Sequence, residues 1–410
     1  MSRRSIVIIG AGHAGVQAAA SLREDGADDA IVLLSGEPDL PYQRPPLSKA
    51  FLKGQMDRAG LPLRAEQFYR EKSIDLRLGV QATRIDLAGK RVELASGAAE
   101  PFDHLILATG ARPRSFDIPG ATLDGVLGLR NIADAATIRE RLGAGRRVVV
   151  IGAGFIGLEI AATALALGGE VTVVEIARPL GRAVSPATSD FFLAAHQAFG
   201  ARFRLGVGVD AIEGANGAVT GVILDDGERV AADVVIVGVG VLAEDRLARE
   251  AGLACDNGIV VDAHLVASDP AVSAIGDCAS FPQHSVRQRL RLESVQNATD
   301  QAKCVAKRLT GKPEPYAALP WFWSDQGDLK LQIAGLSHGV DRWSLRGDPK
   351  DRAYAAFGFR GGALAVVETV NRGAEHMAAR RIIGGDLPIT PDQAADPAFD
   401  LRKLALSTKG

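Results

Sequence analysis

Short apolar runs that stop at glycine set the rhythm of this chain. Residues 6–9 (Ile-Val-Ile-Ile) lead into Gly10-x-Gly12-x-x-Gly15, and residues 148–151 (Val-Val-Val-Ile) lead into Gly152-x-Gly154-x-x-Gly157. Four apolar residues without polar alternation are too few for a helix and predict a strand buried on both faces. Runs at 31–34, 104–107, 171–174 and 234–237 read the same way, the second ending in Ala108-Thr109-Gly110 and the last in Gly238-Val239-Gly240. Helix-like segments follow both glycine motifs, the second as far as Leu167. Strand, helix and strand in that order predict an α/β fold with parallel sheets. After Pro313, Pro315 and Pro320, which read as a linker, the pattern changes to alternating, aromatic-bearing strands at 330–334, 342–346, 353–359 and 363–369, with a helix near 374–382. This predicts a separate C-terminal α+β domain. The tail from Pro388 is expected to be a mobile loop.

The glycines bring in the first chemistry. In each motif the first glycine makes a tight turn, the second lets backbone approach a pyrophosphate, and the third lets the next helix pack close to the strand. The helix N-terminus then faces the phosphates. Glu37 ends the run after the first motif, 22 residues past Gly15, and Glu175 ends the run after the second, 18 residues past Gly157. An acid at that distance is placed to hydrogen-bond a ribose hydroxyl. Two such units 142 residues apart suggest two nucleotides, a bound flavin dinucleotide and a nicotinamide dinucleotide. The alternative is that one copy is a decayed duplicate.

Other segments are less explicit. The stretch LPYQRPPLSK carries Pro41, Pro45 and Pro46, which stiffen it, and projects Arg44 and Lys49. A cation here either neutralises a pyrophosphate, sits near a flavin ring, or is a solvated surface charge. Short strands are expected near 76–78, at Ala82–Asp86 and at Arg91–Leu94, a helix after Pro186, a hairpin-like region at 219–230, and short strands at 259–261 and before Gly276-Asp277-Cys278. A helix is expected from about Ser294 to Leu309.

Composition narrows the reading only slightly. With 47 Lys and Arg against 49 Asp and Glu the net charge is −2, which does not invite nucleic acid. No apolar run approaches the ~18 residues of a membrane span. The four-residue run before Gly10 is already spent as a strand, so it is no secretion signal, and a cytoplasmic protein is expected. Cys255, Cys278 and Cys304 form neither a C-x-x-C nor a paired framework, and the seven histidines hold no metal-ligand spacing, so no metal is expected.

The motifs SIVIIGAGHAG, PYQRPPLSK, LILATGARPR, VVVIGAGFIGLE, VVIVGVG, SAIGDC, ESVQNA and PWFWSDQ follow one another along nearly the whole chain. Together they closely resemble the FAD-dependent NADH:ferredoxin reductases of bacterial oxygenase systems, the putidaredoxin reductase-like group. The resemblance implies a glutathione-reductase-like fold: two Rossmann-like domains plus a C-terminal α+β interface domain. It implies a discontinuous FAD domain at 1–110 and 241–319, an NAD domain at 111–240, and the interface domain at 320–410. It assigns Gly10, Gly12, Ala14, Gly15 and Glu37 to the FAD phosphates and ribose, with Arg44, Lys49, Ala82, Arg130, Asp277 and Val295 as further FAD contacts. Thr109 and Gly110 close the same cofactor site. Gly152, Gly154, Ile156, Gly157, Glu159, Glu175 and Gly240 are assigned to NADH, and Lys49 with Glu159 to a pair near the reactive edge of the flavin.

The implied activity takes a hydride from NADH onto FAD and passes single electrons to a 2Fe-2S ferredoxin serving a monooxygenase or dioxygenase. Lys49 would stabilise negative charge on the reduced ring, and Glu159 would hold Lys49. Such ferredoxins are acidic, and Arg64 and Lys303 match basic docking positions of the family. Residues 286–312 carry seven cations and two acids, which fits a basic face or a merely solvated helix. There are two departures. Gly36 stands where relatives tend to carry a polar or acidic side chain, which leaves the ribose bond to Glu37, and no cysteine precedes Cys255, so electrons cannot leave through a dithiol. The alternatives are a reductase for rubredoxin or another small acceptor, or a low-turnover redox-signalling flavoprotein.

Overall fold

A computed structural model describes residues 4–407. By its contacts the chain divides into two units, one of residues 1–43, 58–112 and 241–318, the other of 44–57, 113–240 and 319–410. The segment 44–57 therefore belongs to the unit that holds the second glycine motif, although it lies early in the chain.

The first unit is built on a parallel sheet. Strands Val272–Ala274, His104–Leu107, Ser5–Ile9, Ala30–Leu34 and Ile74–Arg77 lie side by side in that order. Ile6, Val7 and Ile8 are fully buried, as expected of an apolar run covered on both faces. The helix His13–Glu24 follows the first motif and packs on the helix Val295–Leu309. Ser294 caps that second helix, its hydroxyl accepting from the Asn297 N–H at 3.0 Å. Strands Ala82–Asp86, Arg91–Leu94 and Ala99–Pro101 make a small antiparallel sheet.

The second unit repeats the plan. Strands Arg202–Leu205, Glu170–Glu175, Arg147–Ile151, Val234–Val237 and Val126–Leu127 are all parallel, and the helix Phe155–Ala166 follows the second motif. The hairpin expected at 219–230 is a three-stranded sheet, because Val209–Ala215 adds to Ala218–Leu224 and Arg229–Ala231. The C-terminal part is an antiparallel sheet in the order Trp321–Gln326, Leu329–Gly335, Ala363–Val370, Tyr354–Arg360 and Arg342–Arg346, with the helix Gly373–Gly384 against it. Buried polar bonds join this sheet to the helix Pro186–Ala198: Glu368 accepts from both the N–H and the hydroxyl of Ser185 at 2.7 Å, and Tyr354 donates to Thr188 at 3.0 Å. Burial pushes the Glu368 carboxyl above its ordinary range.

The tail departs from expectation. Pro391–Ala395 and Leu401–Leu406 are helices, capped by Thr390 and Asp400, and Ala394 and Leu401 are buried in the core of the C-terminal sheet. Thr390-Pro391-Asp392-Gln393 does carry a helix-start pattern, a capping box with proline in the first turn, but the helices are too short to stand without the tertiary packing that buries Ala394 and Leu401. Among the described residues no helix is long and apolar enough to cross a membrane.

Candidate functional site

Both glycine motifs adopt the same backbone. Gly10 and Gly152 have φ of +103° and +99°, left-handed values that favour glycine. A Cβ on Gly15 would lie 1.9 Å from the Gly10 carbonyl oxygen, and one on Gly157 2.1 Å from that of Gly152. These third glycines let helix and strand touch. Gly12 and Gly154 are different: a Cβ there would meet nothing within 4 Å. Each also caps its helix with no side chain bonded to the first turn, and neither first turn holds an acid. The space beside each helix N-terminus is thus kept clear and polarised for an anion. This fits a pyrophosphate at both places.

Within the first unit the fold brings some of the residues assigned to FAD to that turn, while Arg44, Lys49 and Arg130 fall in the second unit. The backbone of Gly276 approaches Ala14 and Ala298 closely, since a Cβ on Gly276 would lie 3.1 Å from the Ala14 Cβ. This packs Gly276 and Asp277 against the motif helix and the first turns of the helix that begins at Val295. The Gly276 N–H donates to Gln301 at 2.7 Å, and Arg291 donates to the Asp277 carbonyl at 3.1 Å. Thr109 and Gly110 are tied to the returning chain: the Thr109 hydroxyl donates to the Glu244 carbonyl at 2.5 Å, and the Glu244 N–H to the Gly110 carbonyl at 2.9 Å. Glu37 accepts a hydrogen bond from the buried Tyr42 hydroxyl, which aims its carboxylate. Beside it, the Gln81 amide oxygen takes the room a side chain at Gly36 would need, 2.6 Å from the position of a Cβ there. Ala82 is buried at the start of its strand.

The second unit holds the residues assigned to NADH from the sequence, together with Arg44, Lys49 and Arg130. Glu175 is fixed from two sides, accepting from the Ala153 N–H at 2.8 Å and the Ala177 N–H at 2.9 Å. Ala153 lies inside the glycine turn, so this carboxylate is held against the motif that would carry the phosphates. Ile156 stands 47% exposed on the first helical turn, beside the open space at Gly154. Gly240 has φ +95° and open space at its Cβ, and its carbonyl accepts from the Arg114 N–H at 3.0 Å. Arg44 donates to the Arg130 carbonyl at 2.5 Å.

Lys49 and Glu159 meet. The ammonium lies 2.6 Å from Glu159 Oε2, and it also donates to the Pro45 carbonyl at 3.1 Å and to Ser48 Oγ at 3.2 Å. Glu159 is only 3% exposed, while the lysine side chain is 18% exposed. Two hydroxyls complete the carboxylate's shell, Ser48 at 2.5 Å and Ser324 at 2.6 Å. Sequence reasoning missed both serines. Ser48 adjoins Lys49, and Ser324 lies in the quoted PWFWSDQ motif, but neither spacing announces a contact with Glu159.

The cysteines are not built as a redox pair. All three are free, and burial first of all pushes each thiol up, Cys304 to about 11, away from the thiolate that disulfide chemistry needs.

Residues 4–302 match the pyridine nucleotide-disulphide oxidoreductase model, and residues 321–405 match the reductase C-terminal model. Rhodocoxin reductase of Rhodococcus erythropolis is 48% identical over 98% of this chain and 94% of its own length. Putidaredoxin reductase of Pseudomonas putida is 39% identical over 99% of this chain and 97% of its own. The crystal structure of a ferredoxin reductase from Rhodopseudomonas palustris superposes with a TM-score of 0.96 at 48% identity, covering 98% of this chain and 100% of that one. A covalent putidaredoxin reductase–putidaredoxin complex gives 0.96 at 38% identity, covering 98% of each chain. With two nucleotide turns of one geometry and relatives that match end to end, the chain belongs to the pyridine nucleotide-disulphide oxidoreductase family, in its group of ferredoxin reductases.

Proposed function

We propose that this protein is an NADH-dependent ferredoxin reductase that holds FAD at the Gly10–Gly15 turn and NADH at the Gly152–Gly157 turn. The observation that carries the reading is the repetition of one phosphate cradle twice in a single chain, with Gly12 and Gly154 both opening on clear space. The names of the relatives, reductases for rhodocoxin and putidaredoxin, support a ferredoxin as the acceptor. When bound, FAD supplies the chemistry, accepting a hydride and releasing electrons one at a time.

This chain's own residues bind, orient and tune. The two helix N-termini hold the pyrophosphates, and Glu37 and Glu175 take the adenosine riboses. Lys49 supplies the positive charge for the reduced ring, and Glu159 holds it in place. Ala14, Thr109, Gly110, Asp277 and Val295 line the FAD side, with Arg44, Ala82 and Arg130 as further contacts. Ile156 and Gly240 complete the NADH side. The domain assignment proposed with it is FAD by 1–110 and 241–319, except that 44–57 packs with the second unit, NADH by 111–240, and an interface domain at 320–410 that shares that second unit. The acceptor is a 2Fe-2S ferredoxin with an acidic face that docks near Arg64 and Lys303, and the reaction belongs in the cytoplasm, where NADH is available.

The test is a panel. Purified protein should release FAD on heating, reduce ferricyanide with NADH, and reduce purified 2Fe-2S proteins faster than rubredoxin. Preference for rubredoxin would reassign the partner. FAD binding without NADH turnover would favour a signalling flavoprotein.

A further inference from the structure

The Glu159 carboxylate does not end with Lys49. Its other oxygen begins a line of buried hydrogen bonds that runs through three elements of the same unit. Ser324 Oγ lies 2.6 Å from Glu159 Oε1, Gln326 Nε2 lies 3.2 Å from Ser324 Oγ, and His196 Nε2 lies 2.8 Å from Gln326 Oε1. Ser324, Gln326 and His196 are each 0% exposed. Ser324 and Gln326 sit two apart on the strand Trp321–Gln326 and so share a face, and His196 comes from the helix Pro186–Ala198.

The direction of every bond is fixed by chemistry. An ionised carboxylate only accepts, so Ser324 must spend its single proton on Glu159. The serine oxygen is then left to accept, and the Gln326 amide nitrogen donates to it. That turns the amide oxygen toward His196, which settles the orientation of the glutamine. The histidine must then carry its proton on Nε2. Its Nδ1 is left bare and has no hydrogen-bond partner among the described residues. Phe199 and Phe203 lie edge-on to the ring at centroid distances of 5.5 and 6.4 Å. Burial also lowers the pKa of His196, in keeping with a neutral ring. A second proton, on Nδ1, would find no acceptor.

A buried polar line is a costly way to fill a core, and apolar residues of the same volume would do it more cheaply. Its one-way polarity points a hydroxyl donor at Glu159 Oε1, the oxygen that Lys49 does not bond. We propose that Ser324, Gln326 and His196 are positioning residues that fix the rotation of the Glu159 carboxylate and thereby the place of the Lys49 ammonium. The line ends among aromatic rings, so it orients a charge rather than conducting a proton. The proposal rests on the reading that Lys49 serves the flavin, but its first test does not.

The experiment compares Ser324→Ala, Ser324→Thr, Gln326→Leu and His196→Gln in the full-length protein, as purified and after FAD removal. Acylation of Lys49 by an amine-reactive ester is followed by peptide mass spectrometry, alongside the thermal transition. Ser324→Ala and Gln326→Leu should raise the Lys49 labelling rate by about threefold or more, because an ammonium no longer held against a fixed carboxylate is freer to meet the reagent. Ser324→Thr, which keeps the hydroxyl, should restore the native rate. An unchanged or lowered rate in Ser324→Ala and Gln326→Leu, with the fold intact, overturns the proposal. The flavin midpoint potential is then measured, with Lys49→Met as reference. Labelling that rises while neither set of variants moves the potential supports the line and removes the flavin role of Lys49. Labelling and potential that move together support both.

Discussion

The Lys49 ammonium lies 2.6 Å from the Glu159 carboxylate, although 110 residues separate them in sequence. Removing either member has unequal consequences. Lys49→Met leaves Glu159 with the Ser48 and Ser324 hydroxyls, so the carboxylate remains partly satisfied. Breaking a buried pair ordinarily costs about 3–5 kcal/mol, and the remaining donors should hold the loss at or below the low end. Stopped-flow reduction by NADH should slow about tenfold, equivalent to ~1.4 kcal/mol of barrier, while FAD content stays near native. A native reduction rate in Lys49→Met would leave the pair a purely structural one.

The glycines separate fold from ligand. A Cβ on Gly15 would collide with the Gly10 carbonyl at 1.9 Å, so Gly15→Ala should destabilise the protein itself and lower its thermal transition with or without FAD. Gly12 has extended backbone, with φ −78°, and nothing within 4 Å of a Cβ. Gly12→Ala should therefore keep the thermal transition of the FAD-free protein and lose FAD affinity, because the methyl stands where phosphate would. Gly154→Ala should raise the KM for NADH with FAD content unchanged. If Gly12→Ala bound FAD normally, the cradle would lie elsewhere.

Choice of nicotinamide should turn on Glu175 and its neighbour. A 2′-phosphate near this carboxylate would meet a like charge, costing on the order of 4 kcal/mol at 4 Å and an effective dielectric of 20, less where solvent screens it. Arg178, three residues on, would soften that bias if it were available. The structure turns its guanidinium to Asp190 and to the Pro186 carbonyl, an exposed pairing that draws it away only weakly. With Glu175 in place NADH should still be strongly preferred, and Glu175→Ala should narrow the preference. Asp190→Ala should narrow it further in the Glu175→Ala background by releasing Arg178. The ratio of kcat/KM for the two cofactors reads this directly, and equal values in the native protein would refute it.

How much of this was legible in the sequence depended on how local the signal was. The glycine turns were, because strand, glycines, helix and distal acid all fall within about 35 residues of one another. The helix Val295–Leu309 was too, since a long run of helix formers with few breakers announces it. Trp321–Gln326 was not read as a strand. Pro320 precedes it, and its strand character comes from pairing with Leu329–Gly335 across a turn at Gly327, which has φ +65°. Ser48 and Ser324 reach Glu159 from 111 and 165 residues away, and no periodicity predicts such contacts. Tyr42, which aims Glu37, lay in plain sight, but as a turn residue among prolines it carried no sign of that role.

The docking face is where counting charges most overstated the case. Of the seven cations in residues 286–312, Arg291 bonds the Asp277 carbonyl and pairs with Glu293 with only 8% of its side chain exposed, and half-buried Arg308 donates to Ser273 at 2.5 Å. Those two cannot greet a partner. Lys303 can: its side chain is 54% exposed, and its ion pair with Asp300 at 3.4 Å is weak at that exposure. Arg64 is exposed as well, its guanidinium resting on the Phe68 ring at 5.5 Å, which stiffens it without spending its charge. Exposed charges of this kind speed encounter with an acidic partner and lose their effect as salt rises. Arg64→Glu with Lys303→Glu should cut turnover of an acidic 2Fe-2S ferredoxin about tenfold or more at low salt, a loss of ~1.4 kcal/mol or more in kcat/KM. NADH:ferricyanide activity should stay at the native level, because a small ion needs no docking face. The KM for ferredoxin in the native protein should climb steeply between low and moderate salt and be nearly flat in the double variant. If salt leaves the native KM unchanged, or the double variant turns over ferredoxin normally, the partner docks on a different face.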